Sequence, residues 1–579
     1  MSERPAATGI DVVIVGAGFA GLYQLWRLRR LGFRARVFEA GAAVGGTWYW
    51  NRYPGARCDV ESVYYSYSFS PELDQEWAWT ERYAAQPEIL SYLEHVTRRF
   101  DLARDITFAT RVRAARFDAD RQSWTVTTDT GESVGCRFLI MATGCLSVAK
   151  EPDIPGAGRF TGARYHTSRW PHGGVDFTGR RVAVIGTGSS AVQSIPEIAR
   201  EAASLTVFQR TPSYCLPARN RPLTEAETAA IRADYPAIRA LLPTTGGGLP
   251  DRGAGHSALD VTADERDAEF WTGWNIGGLA GLTGAFTDII TSQAANDHAA
   301  DFVRARIAEA VADPATAAAL QPRDYPFATK RPCLESGYYD AFNRGNVSLV
   351  NLRATPLEEI TDTCLRTTEA SYEVDAIVFA TGFDAMTGAL NAVDIRGRDG
   401  VSLLEAWADG PVSLLGLAVA GFPNLFTITG PMSPSVLSNM VISIEQHVDW
   451  ISDCLTYLRD NGLGAIEAAP QAQADWVGQV ADVAGATLYP RADSWYIGAN
   501  VPGKPRVFMA YLGGVGAFRE ICDSVANDGY RGFTVEPARP APSYQFDPAR
   551  TEPPLPAASP VDYNLCETWR LSDSYRRSL

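Results

Sequence analysis

The sequence predicts an α/β protein with two parallel-sheet domains, and three observations carry this prediction. Two segments, Asp11–Ala40 and Arg181–Arg210, each show the order strand, glycine-rich turn, helix and strand. Near-identical strand endings, FLIMATG at Phe138–Gly144 and AIVFATG at Ala376–Gly382, follow them along the chain. The length of 579 residues exceeds that of one ordinary domain. Since a β-α-β crossover joins parallel strands, two such units predict two parallel sheets.

Charge and cysteine content exclude several kinds of protein. The formal net charge is 52 − 67 = −15, which argues against nucleic acid as a partner because phosphate backbones attract basic surfaces. The nine cysteines include no C-x-x-C pair, which excludes the redox-active dithiol of disulfide reductases. Such an unpatterned set is typical of a reduced cytoplasmic protein rather than a disulfide scaffold.

Membrane and metal binding are not expected either. Met1–Gly9 lacks the apolar core of a signal peptide, and the apolar stretch Val412–Leu425 is interrupted by Gly and Pro. The six histidines and the carboxylates show no metal-ligand spacing, so no metal is predicted. We expect a cytoplasmic protein that is a monomer or a weak homo-oligomer.

The turn after the first strand, Gly16-Ala-Gly18-Phe-Ala-Gly21, has the glycine spacing of a dinucleotide-binding loop. Gly16 permits the tight turn, Gly18 lets the backbone approach a pyrophosphate, and Gly21 lets helix and strand pack closely. Glu39 ends the second strand, where a carboxylate accepts hydrogen bonds from ribose hydroxyls and repels a 2′-phosphate. This pattern predicts a Rossmann-like site for FAD or NAD.

The second unit contains the related turn Gly186-Thr-Gly188-Ser-Ser-Ala191, and Arg210 stands where Glu39 stands in the first unit. A guanidinium there can bind a 2′-phosphate with two hydrogen bonds, so this site is expected to prefer NADPH over NADH. The alternative is an ordinary surface arginine. Two different nucleotide sites in one chain indicate electron transfer between two cofactors, with NADPH as hydride donor and FAD as acceptor.

A segment just before the second unit has the pattern F-x-G-x-x-x-H-x-x-x-W-P, formed by Phe160, Gly162, His166, Trp170 and Pro171. It resembles the fingerprint of type I Baeyer–Villiger monooxygenases. Related N- and S-oxygenating flavin monooxygenases generally lack the Trp-Pro ending. The resemblance implies that His166 is a linker residue coupling domain motion, whereas a lone histidine is by itself more often structural.

The resemblance extends over Asp11–Cys522, with matching segments in unbroken order. These segments are GGTWYWNRYPGARCDVES (Gly45–Ser62), TVFQRTP (Thr206–Pro212), ATKRPCLESGYYDAFNR (Ala328–Arg344), ATGFDA (Ala380–Ala385), SPSVLSNMVISIEQHVDW (Ser433–Trp450) and SWYIGANVPGK (Ser494–Lys504).

The resemblance also implies roles for individual residues. Arg331 resembles the active-site arginine of the family and Asp59 the carboxylate that orients it; without the resemblance, a structural salt bridge is the alternative for Arg331. The residues implied at FAD are Gly16, Gly18, Gly21, Glu39, Gly46, Thr47, Trp48, Asp59, Tyr65, Val112 and Met440. Those implied at NADP are Arg57, Cys58, Thr187, Gly188, Ser189, Ser190, Ala191, Gln193, Arg210, Thr211, Lys330, Arg331 and Trp495.

The implied reaction is the oxidation of a ketone to an ester or lactone. NADPH reduces FAD, the reduced flavin and dioxygen give a C4a-peroxide, and this peroxide inserts oxygen beside the ketone carbonyl. A fixed guanidinium would stabilise both the peroxide anion and the oxyanion formed by its addition. The alternatives are an N- or S-oxygenating flavin monooxygenase, a flavin-dependent reductase, and a non-catalytic flavin and NADP redox sensor.

The order of elements predicts an FAD-binding domain divided around an inserted NADP-binding domain. Antiparallel strands are expected over Thr107–Gly131, and an Ala-rich, charged stretch from Leu223 favours helix. The Gly-rich loop Thr244–Gly255 within that stretch and the Pro-rich tail point to a bulky cyclic or terpenoid ketone. The predicted divisions are 1–150 (FAD domain, first part), 151–222 (NADP domain, first part), 223–322 (helical insert), 323–384 (NADP domain, second part), 385–536 (FAD domain, second part) and 537–579 (Pro-rich tail).

Overall fold

The structure is a computed structural model that describes residues 9–252 and 255–539. Mixed α/β structure with two five-stranded parallel sheets confirms the predicted fold class. From residue 540 onward, the predicted Pro-rich tail lies outside the described residues.

The strands are β1 (Val12–Val15), β2 (Ala35–Phe38), β3 (Ile106–Thr107), β4 (Val112–Asp118), β5 (Ser123–Thr128), β6 (Ser133–Cys136), β7 (Phe138–Met141), β8 (Ala163–His166), β9 (Arg181–Ile185), β10 (Ser204–Gln209), β11 (Cys215–Pro217), β12 (Cys333–Glu335), β13 (Val347–Asn351), β14 (Leu357–Ile360), β15 (Cys364–Thr367), β16 (Ser371–Glu373), β17 (Ala376–Phe379), β18 (Asp394–Arg396), β19 (Leu425–Thr427), β20 (Leu463–Ala468) and β21 (Phe533–Pro537). The α-helices are α1 (Phe19–Arg30), α2 (Thr47–Trp50), α3 (Pro71–Glu76), α4 (Gln86–Arg99), α5 (Ser189–Glu201), α6 (Glu225–Leu241), α7 (Ala263–Ile276), α8 (Gly278–Thr283), α9 (Gln293–Ala310), α10 (Pro314–Leu320), α11 (Tyr338–Ala341), α12 (Gly388–Asn391), α13 (Leu403–Ala406), α14 (Met440–Asp460), α15 (Pro470–Gly485) and α16 (Val515–Asn527).

The first parallel sheet has the strand order β19-β7-β1-β2-β3. Its central strand β1 is buried along its whole length, as expected for a sheet covered on both faces. Four of its strands come from the N-terminal part of the chain, and β19 comes from the C-terminal third. The two ends of the chain therefore build one sheet.

One expectation about this region is wrong. Thr107 was expected in an antiparallel strand pair, but Ile106–Thr107 (β3) pairs in parallel with β2 at the edge of the first sheet. Ala109 has a φ of 49°, so the backbone changes direction there. The antiparallel strands begin at Val112, in a separate sheet with the order β18-β4-β5-β6.

The second parallel sheet has the order β13-β10-β9-β17-β8. Since all its pairings are parallel, the ends of β9, β10 and β17 meet at one edge. Gly186, Arg210 and Ala380 follow these three strands directly. The small sheet β14-β15-β16 inserts between β13 and β17 along the chain.

Helices α6 to α10 form the stretch between the two parts of the second sheet. A buried ion pair between Arg239 on α6 and Asp74 on α3 joins this stretch to the N-terminal part, with a distance of 2.6 Å between Nη2 and Oδ1. Arg239 also donates to the Ser66 hydroxyl at 2.8 Å. The Gly-rich loop contacts the C-terminal part, because the Asn439 amide donates to the Gly247 carbonyl at 2.8 Å.

The long helix α14 packs on α1 through polar contacts. The Tyr23 hydroxyl donates to Asp449 at 2.7 Å, and Gln24 donates to the Ser452 hydroxyl at 2.9 Å. One turn earlier, Glu445 accepts from the amide and the hydroxyl of Ser68, each at 2.6 Å. Burial raises the pKa of Glu445 from its ordinary value of 4.5 to about 7 despite these donors.

This buried acid makes stability depend on pH. Because the folded pKa lies above the unfolded one, protonation of Glu445 favours folding below about pH 4.5, and this contribution is lost as the pH rises through 7. Glu445→Gln, a neutral side chain of the same shape, is therefore expected to raise the free energy of unfolding at pH 8 by on the order of 2 kcal/mol, and to change it little at pH 4. Urea unfolding at both pH values measures this, and an equal effect at both would contradict the assignment.

Within residues 9–252 and 255–539, no helix has the length and apolar character needed to cross a membrane. No group of three or more His, Cys, Asp and Glu side chains is placed to hold a metal ion in that part of the chain. The expected absence of a metal stays a prediction.

Candidate active site

The first glycine loop links β1 to α1, and contacts explain each glycine. Gly16 has a φ of +107°, which strongly favours glycine. A Cβ at Gly21 would lie 1.8 Å from the Gly16 carbonyl oxygen, so no side chain fits between helix and turn. A Cβ at Gly46, which has a φ of +52°, would lie 2.9 Å from the Gly18 Cα. Two glycine-containing turns thus bring their backbones together where a pyrophosphate is expected.

Glu39 lies beside this loop at the end of β2. Its carboxylate accepts from the Ala17 amide at 2.7 Å and from the Gly41 amide at 2.6 Å, and only 4% of the residue is exposed. Burial raises its pKa, and the two amides act in the opposite direction. Each carboxylate oxygen can accept a further bond, so the position fits a ribose diol.

The other residues implied at the flavin lie around the same region of the first sheet. Trp48, next to Thr47 at the start of α2, donates to the Tyr65 hydroxyl at 3.3 Å, and their rings meet edge to face at 5.9 Å. Val112 is buried at the start of β4, and Met440 begins α14. Their roles toward a flavin stay predictions.

The second glycine loop links β9 to α5 and has space beside it. The Thr187 hydroxyl donates to the Thr211 carbonyl at 2.8 Å, which holds the loop against the end of β10. Gly188 has a φ of −83°, which any residue can adopt, and its Cβ would meet no atom within 4 Å. Nothing in the protein requires a glycine there, whereas a ligand backbone passing over the loop would. Ser189, Ser190 and buried Ala191 begin α5.

Gly188→Val should therefore separate folding from ligand binding. We expect unchanged thermal stability, and a dissociation constant for NADP+ that rises roughly tenfold or more, since about 1.4 kcal/mol of lost contact gives a factor of ten. Isothermal titration calorimetry with NADP+ measures this. Gly173→Val, whose Cβ also meets no atom within 4 Å, is the matched control. An unchanged affinity of the Gly188 variant would place the ligand elsewhere.

Three cations lie near the end of β10. Arg210 is exposed, Lys330 holds its Nζ 4.4 Å from the centre of the Tyr325 ring, and Arg353 contacts the Thr211 hydroxyl at 3.3 Å. Burial lowers the pKa of Lys330, and the charge of Arg210 lowers it further. Arg353 also pairs with Asp324, whereas the repulsion between Arg210 and Lys330 is relieved by an anion, so these two side chains fit a 2′-phosphate.

Arg331 and Asp59 form the main charged pair of the site. Nε and Nη2 of Arg331 donate to the two carboxylate oxygens at 2.6 and 2.9 Å, and Nη1 donates to the Val436 carbonyl at 2.9 Å. Burial alone lowers the pKa of Arg331, but Asp59 more than reverses this, so the pKa is raised and the guanidinium stays charged. The side chains keep 22% and 27% of their area accessible, so the pair borders an opening.

Asp59 follows a segment that contacts the second glycine unit. Gln193 on α5 donates to the Arg57 carbonyl at 3.1 Å and accepts from the Tyr53 hydroxyl at 2.8 Å. Arg57 itself pairs with Glu81 at 2.8 Å, and Cys58 is buried. Gln193 and Arg57 were expected at NADP; the structure shows them joining the two nucleotide units, and their contact with NADP stays a prediction.

His166 is the last residue of β8, and its ring nitrogens contact three other residues. Its Nδ1 lies 2.7 Å from the Ser168 hydroxyl, and its Nε2 lies 3.2 Å from the Thr381 hydroxyl and 3.3 Å from the Lys150 carbonyl. Burial lowers its pKa, which favours the neutral ring. These contacts join β8 to Lys150 and to the end of β17, and the expected coupling of domain motion by His166 stays a prediction.

The other residues of the pattern F-x-G-x-x-x-H-x-x-x-W-P lie in or near the second sheet. Phe160 and Trp170 are buried, whereas Pro171 is exposed. A Cβ at Gly162 would lie 2.6 Å from the Asp375 carbonyl oxygen, so the strand passes too close for a side chain.

Trp495 lies in an apolar cluster that borders the Arg331 pair. Its ring centre is 4.3 Å from that of Tyr496, and Tyr496 is 1% exposed. Other members of the cluster are Cys145, Met386, Val436, Met440 and Met509.

Comparison with known proteins decides the family. The chain is 40% identical to a Baeyer–Villiger monooxygenase of Pseudooceanicola batsensis, and the alignment covers 91% of this chain and 97% of the relative. The chain belongs to the Baeyer–Villiger monooxygenase family. The predicted family and the prediction of an NADPH-dependent flavoprotein monooxygenase are confirmed.

The chain is also similar to a solved structure, to a second relative and to a family model. A solved structure of an oxidized steroid monooxygenase bound to NADP is 53% identical, with a TM-score of 0.87 over 91% of this chain and 99% of that chain. A phenazine N-monooxygenase of Lysobacter antibioticus is 41% identical over 91% of this chain and 97% of the relative. Residues 13–227 also match the family model described as pyridine nucleotide-disulphide oxidoreductase.

The family resemblance did not indicate two features of this monooxygenase site. The Val436 carbonyl is the third partner of Arg331, and no residue type marks a backbone carbonyl for that role. Lys150 also lies at the edge of the second sheet, because its amide donates to the Gly382 carbonyl at 2.9 Å. Lys150 lies in an irregular segment between two sheets, and no sequence pattern there predicts its contacts.

Proposed function

We propose that the chain oxidises a bulky cyclic ketone to a lactone, with FAD at the first glycine loop and NADPH at the second. The observation that carries the proposal is the pair of Arg331 and Asp59. Three hydrogen-bonded residues meet there: Asp59 from the N-terminal part of the chain, Arg331 from the segment after the helical insert, and Val436 from the C-terminal part. The pair therefore stands where the parts that form both nucleotide sites meet.

The residues present fit both cofactors. The close approach of Gly18 and Gly46 and the carboxylate of Glu39 would hold the pyrophosphate and ribose of FAD. Gly188, Arg210 and Lys330 would hold NADPH. Bound FAD, once reduced by NADPH, supplies the activation of dioxygen.

The protein's own contribution is a fixed positive charge. A guanidinium has five N–H groups, and three of those on Arg331 bond to Asp59 and Val436. One N–H remains on each terminal nitrogen, enough to hold the oxygen of a bound ketone and stabilise negative charge on it. Asp59 fixes the plane of the guanidinium, which makes it a positioning residue.

The apolar cluster beside Arg331 supports a bulky apolar substrate. Trp495, Met440 and Val436 belong to this cluster and carry no charge, and Val436 contacts Arg331 through its carbonyl. The identity of 53% to a steroid monooxygenase supports a polycyclic or comparably large ring ketone.

Product analysis tests this proposal. Purified enzyme with NADPH, isotope-labelled dioxygen and a series of ketones of increasing ring size should give lactones that carry one labelled oxygen, fastest with the larger rings. Lactone from small rings alone would overturn the substrate class. Absence of lactone from every ketone, with NADPH consumed, would overturn the reaction.

N-oxygenation is the second candidate, because one relative at 41% identity is a phenazine N-monooxygenase. Aromatic amines and thioethers belong in the same series of substrates. Labelled N-oxide or sulfoxide without lactone would favour this candidate.

The domain divisions, a cytoplasmic location and a monomeric or weakly oligomeric state are also proposed. The supply of strands to the first sheet from both ends of the chain supports the divided FAD domain. Light scattering of the purified protein measures the oligomeric state.

A further inference from the structure

Two cysteines lie opposite each other at the base of the helical insert. Cys215 is the first residue of β11 and Cys333 is the first residue of β12. These strands pair in parallel, with Cys215 directly beside Cys333. Helices α6 to α10 lie on the chain between the two strands. The pair of strands therefore joins the chain that enters the insert to the chain that leaves it.

The pairing of β11 with β12 brings the two cysteines within bridging range. Side chains at directly paired positions extend from the same face of a sheet, and neighbouring strands lie about 4.8 Å apart. A disulfide requires a distance of about 4.4–6.8 Å between the two Cα atoms. Both residues are free thiols and both are buried. The register alone thus permits a bond between Cys215 and Cys333.

The Cys333 sulfur is the one placed to react first. It accepts a hydrogen bond from the Ser189 hydroxyl at 3.4 Å, and Ser189 is an exposed residue that begins α5. The positive end of a helix dipole stabilises a thiolate. Hydrogen bonds with Cys215 and Ser189 lower the pKa of the Cys333 thiol. Burial instead raises the pKa of Cys58, Cys136, Cys145, Cys215, Cys454 and Cys522.

We infer that Cys215 and Cys333 form a peroxide-oxidisable dithiol whose disulfide closes the base of the helical insert. The Cys333 thiolate attacks hydrogen peroxide, so that an S–O bond forms, the O–O bond breaks and hydroxide leaves. Cys215 then attacks the Cys333 sulfur, the S–S bond forms, and the displaced hydroxide leaves with a proton as water. In total the two thiols lose two electrons and two protons, and one peroxide becomes two waters.

The proposed reaction supplies this oxidant. Reduced flavin that reacts with dioxygen without oxygenating a ketone releases hydrogen peroxide. Arg331 stands two positions before Cys333, so the dithiol and the proposed oxygenation site share one segment. The source of the peroxide rests on the proposed function, whereas the arrangement of the two thiols does not.

A disulfide at this place is expected to stabilise the protein. It would close a loop that runs from residue 215 to residue 333. Cross-linking a long loop lowers the entropy of the unfolded chain, and this effect grows with loop length. The thermal midpoint of the oxidised protein should therefore lie several degrees above that of the reduced protein.

Peptide mapping by mass spectrometry tests the bridge. FAD-loaded protein treated with equimolar hydrogen peroxide, without NADPH, should yield one disulfide-linked pair of peptides that contains Cys215 and Cys333. The half-buried Cys364 is the internal control, because exposure alone would make it react before the buried pair. Oxidation of Cys364 ahead of the pair, or a bridge between other cysteines, would overturn the inference.

Variants separate the two steps. In Cys215→Ser the reaction should stop at a sulfenic acid on Cys333, which dimedone traps, and Cys333→Ser should give neither adduct nor bridge. Failure of dimedone to label Cys215→Ser would contradict the assignment of Cys333 as the attacking thiol.

Thermal unfolding tests the consequence of the bridge. Oxidation should raise the midpoint of the unchanged protein and of the matched control Cys364→Ser, and dithiothreitol should reverse the rise. Cys215→Ser should show no rise. A bridge that forms without raising the midpoint would refute the closure of the insert. Since peroxide is added directly, none of these measurements requires ketone oxidation, and the proposed function can fail separately.

Discussion

Arg331→Ala is expected to oxygenate ketones at least about a hundredfold more slowly, even when FAD and NADPH saturate the enzyme. Removal of a single group that stabilises a developing oxyanion typically raises the barrier by about 3 kcal/mol. Arg331 has two N–H groups that bond to no residue in the described ranges, and its loss would also remove the bidentate partner of the Asp59 carboxylate. The measurement is lactone formed per NADPH consumed, together with the rate of each.

Two further variants make this result specific. Arg331→Lys keeps a positive charge but loses the planar pair of bonds to Asp59, so it should recover only part of the rate. Arg323→Ala removes an exposed arginine of the neighbouring segment and should leave the rate unchanged. Normal lactone formation by Arg331→Ala, with both cofactors bound, would remove the electrostatic basis of the proposed function.

The features that the sequence predicted well are those encoded over short stretches of chain. The turn from Gly16 to Gly21 and the acid Glu39 belong to one β-α-β unit, so strand, turn and helix signals reinforce each other within 30 residues. The parallel sheets followed from the same local signals. The boundaries and pairing of strands were predicted less well, as Thr107 shows, because a two-residue strand is too short to show a periodic pattern.

Contacts between distant segments could not be predicted from spacing. Asp59 and Arg331 are 272 positions apart, and only the family resemblance indicated that they meet. The Val436 carbonyl and the bond from Lys150 to Asn500 lie outside any motif, because backbone carbonyls and irregular segments have no residue-type signature. Gln193 shows a different limit. Its motif implied a contact with NADP, but in the structure its side chain bonds to the Arg57 carbonyl and joins the two nucleotide units.

Gly21→Ala should have the largest effect on cofactor content. A methyl group there would lie 1.8 Å from the Gly16 carbonyl oxygen and 2.9 Å from its carbon, both backbone atoms that no rotamer change can move. Helix α1 must shift away from β1, which disrupts the loop that faces the pyrophosphate. We expect purified protein largely free of FAD and destabilised by about 3 kcal/mol, at the upper end of the usual range for overpacking.

The ratio of flavin to protein absorbance and the thermal midpoint measure this result. Gly158→Ala is the matched control, because a Cβ there meets no atom within 4 Å and should alter neither quantity. Gly188→Val completes the comparison: its Cβ also meets no protein atom, so only NADP+ affinity should fall. If Gly21→Ala kept its FAD and its stability, helix α1 would have room to move, and close packing of helix and strand would not be what requires glycine at that position. Protein packing would then explain the glycine of neither loop. The requirement for glycine at both positions would come from the bound ligand.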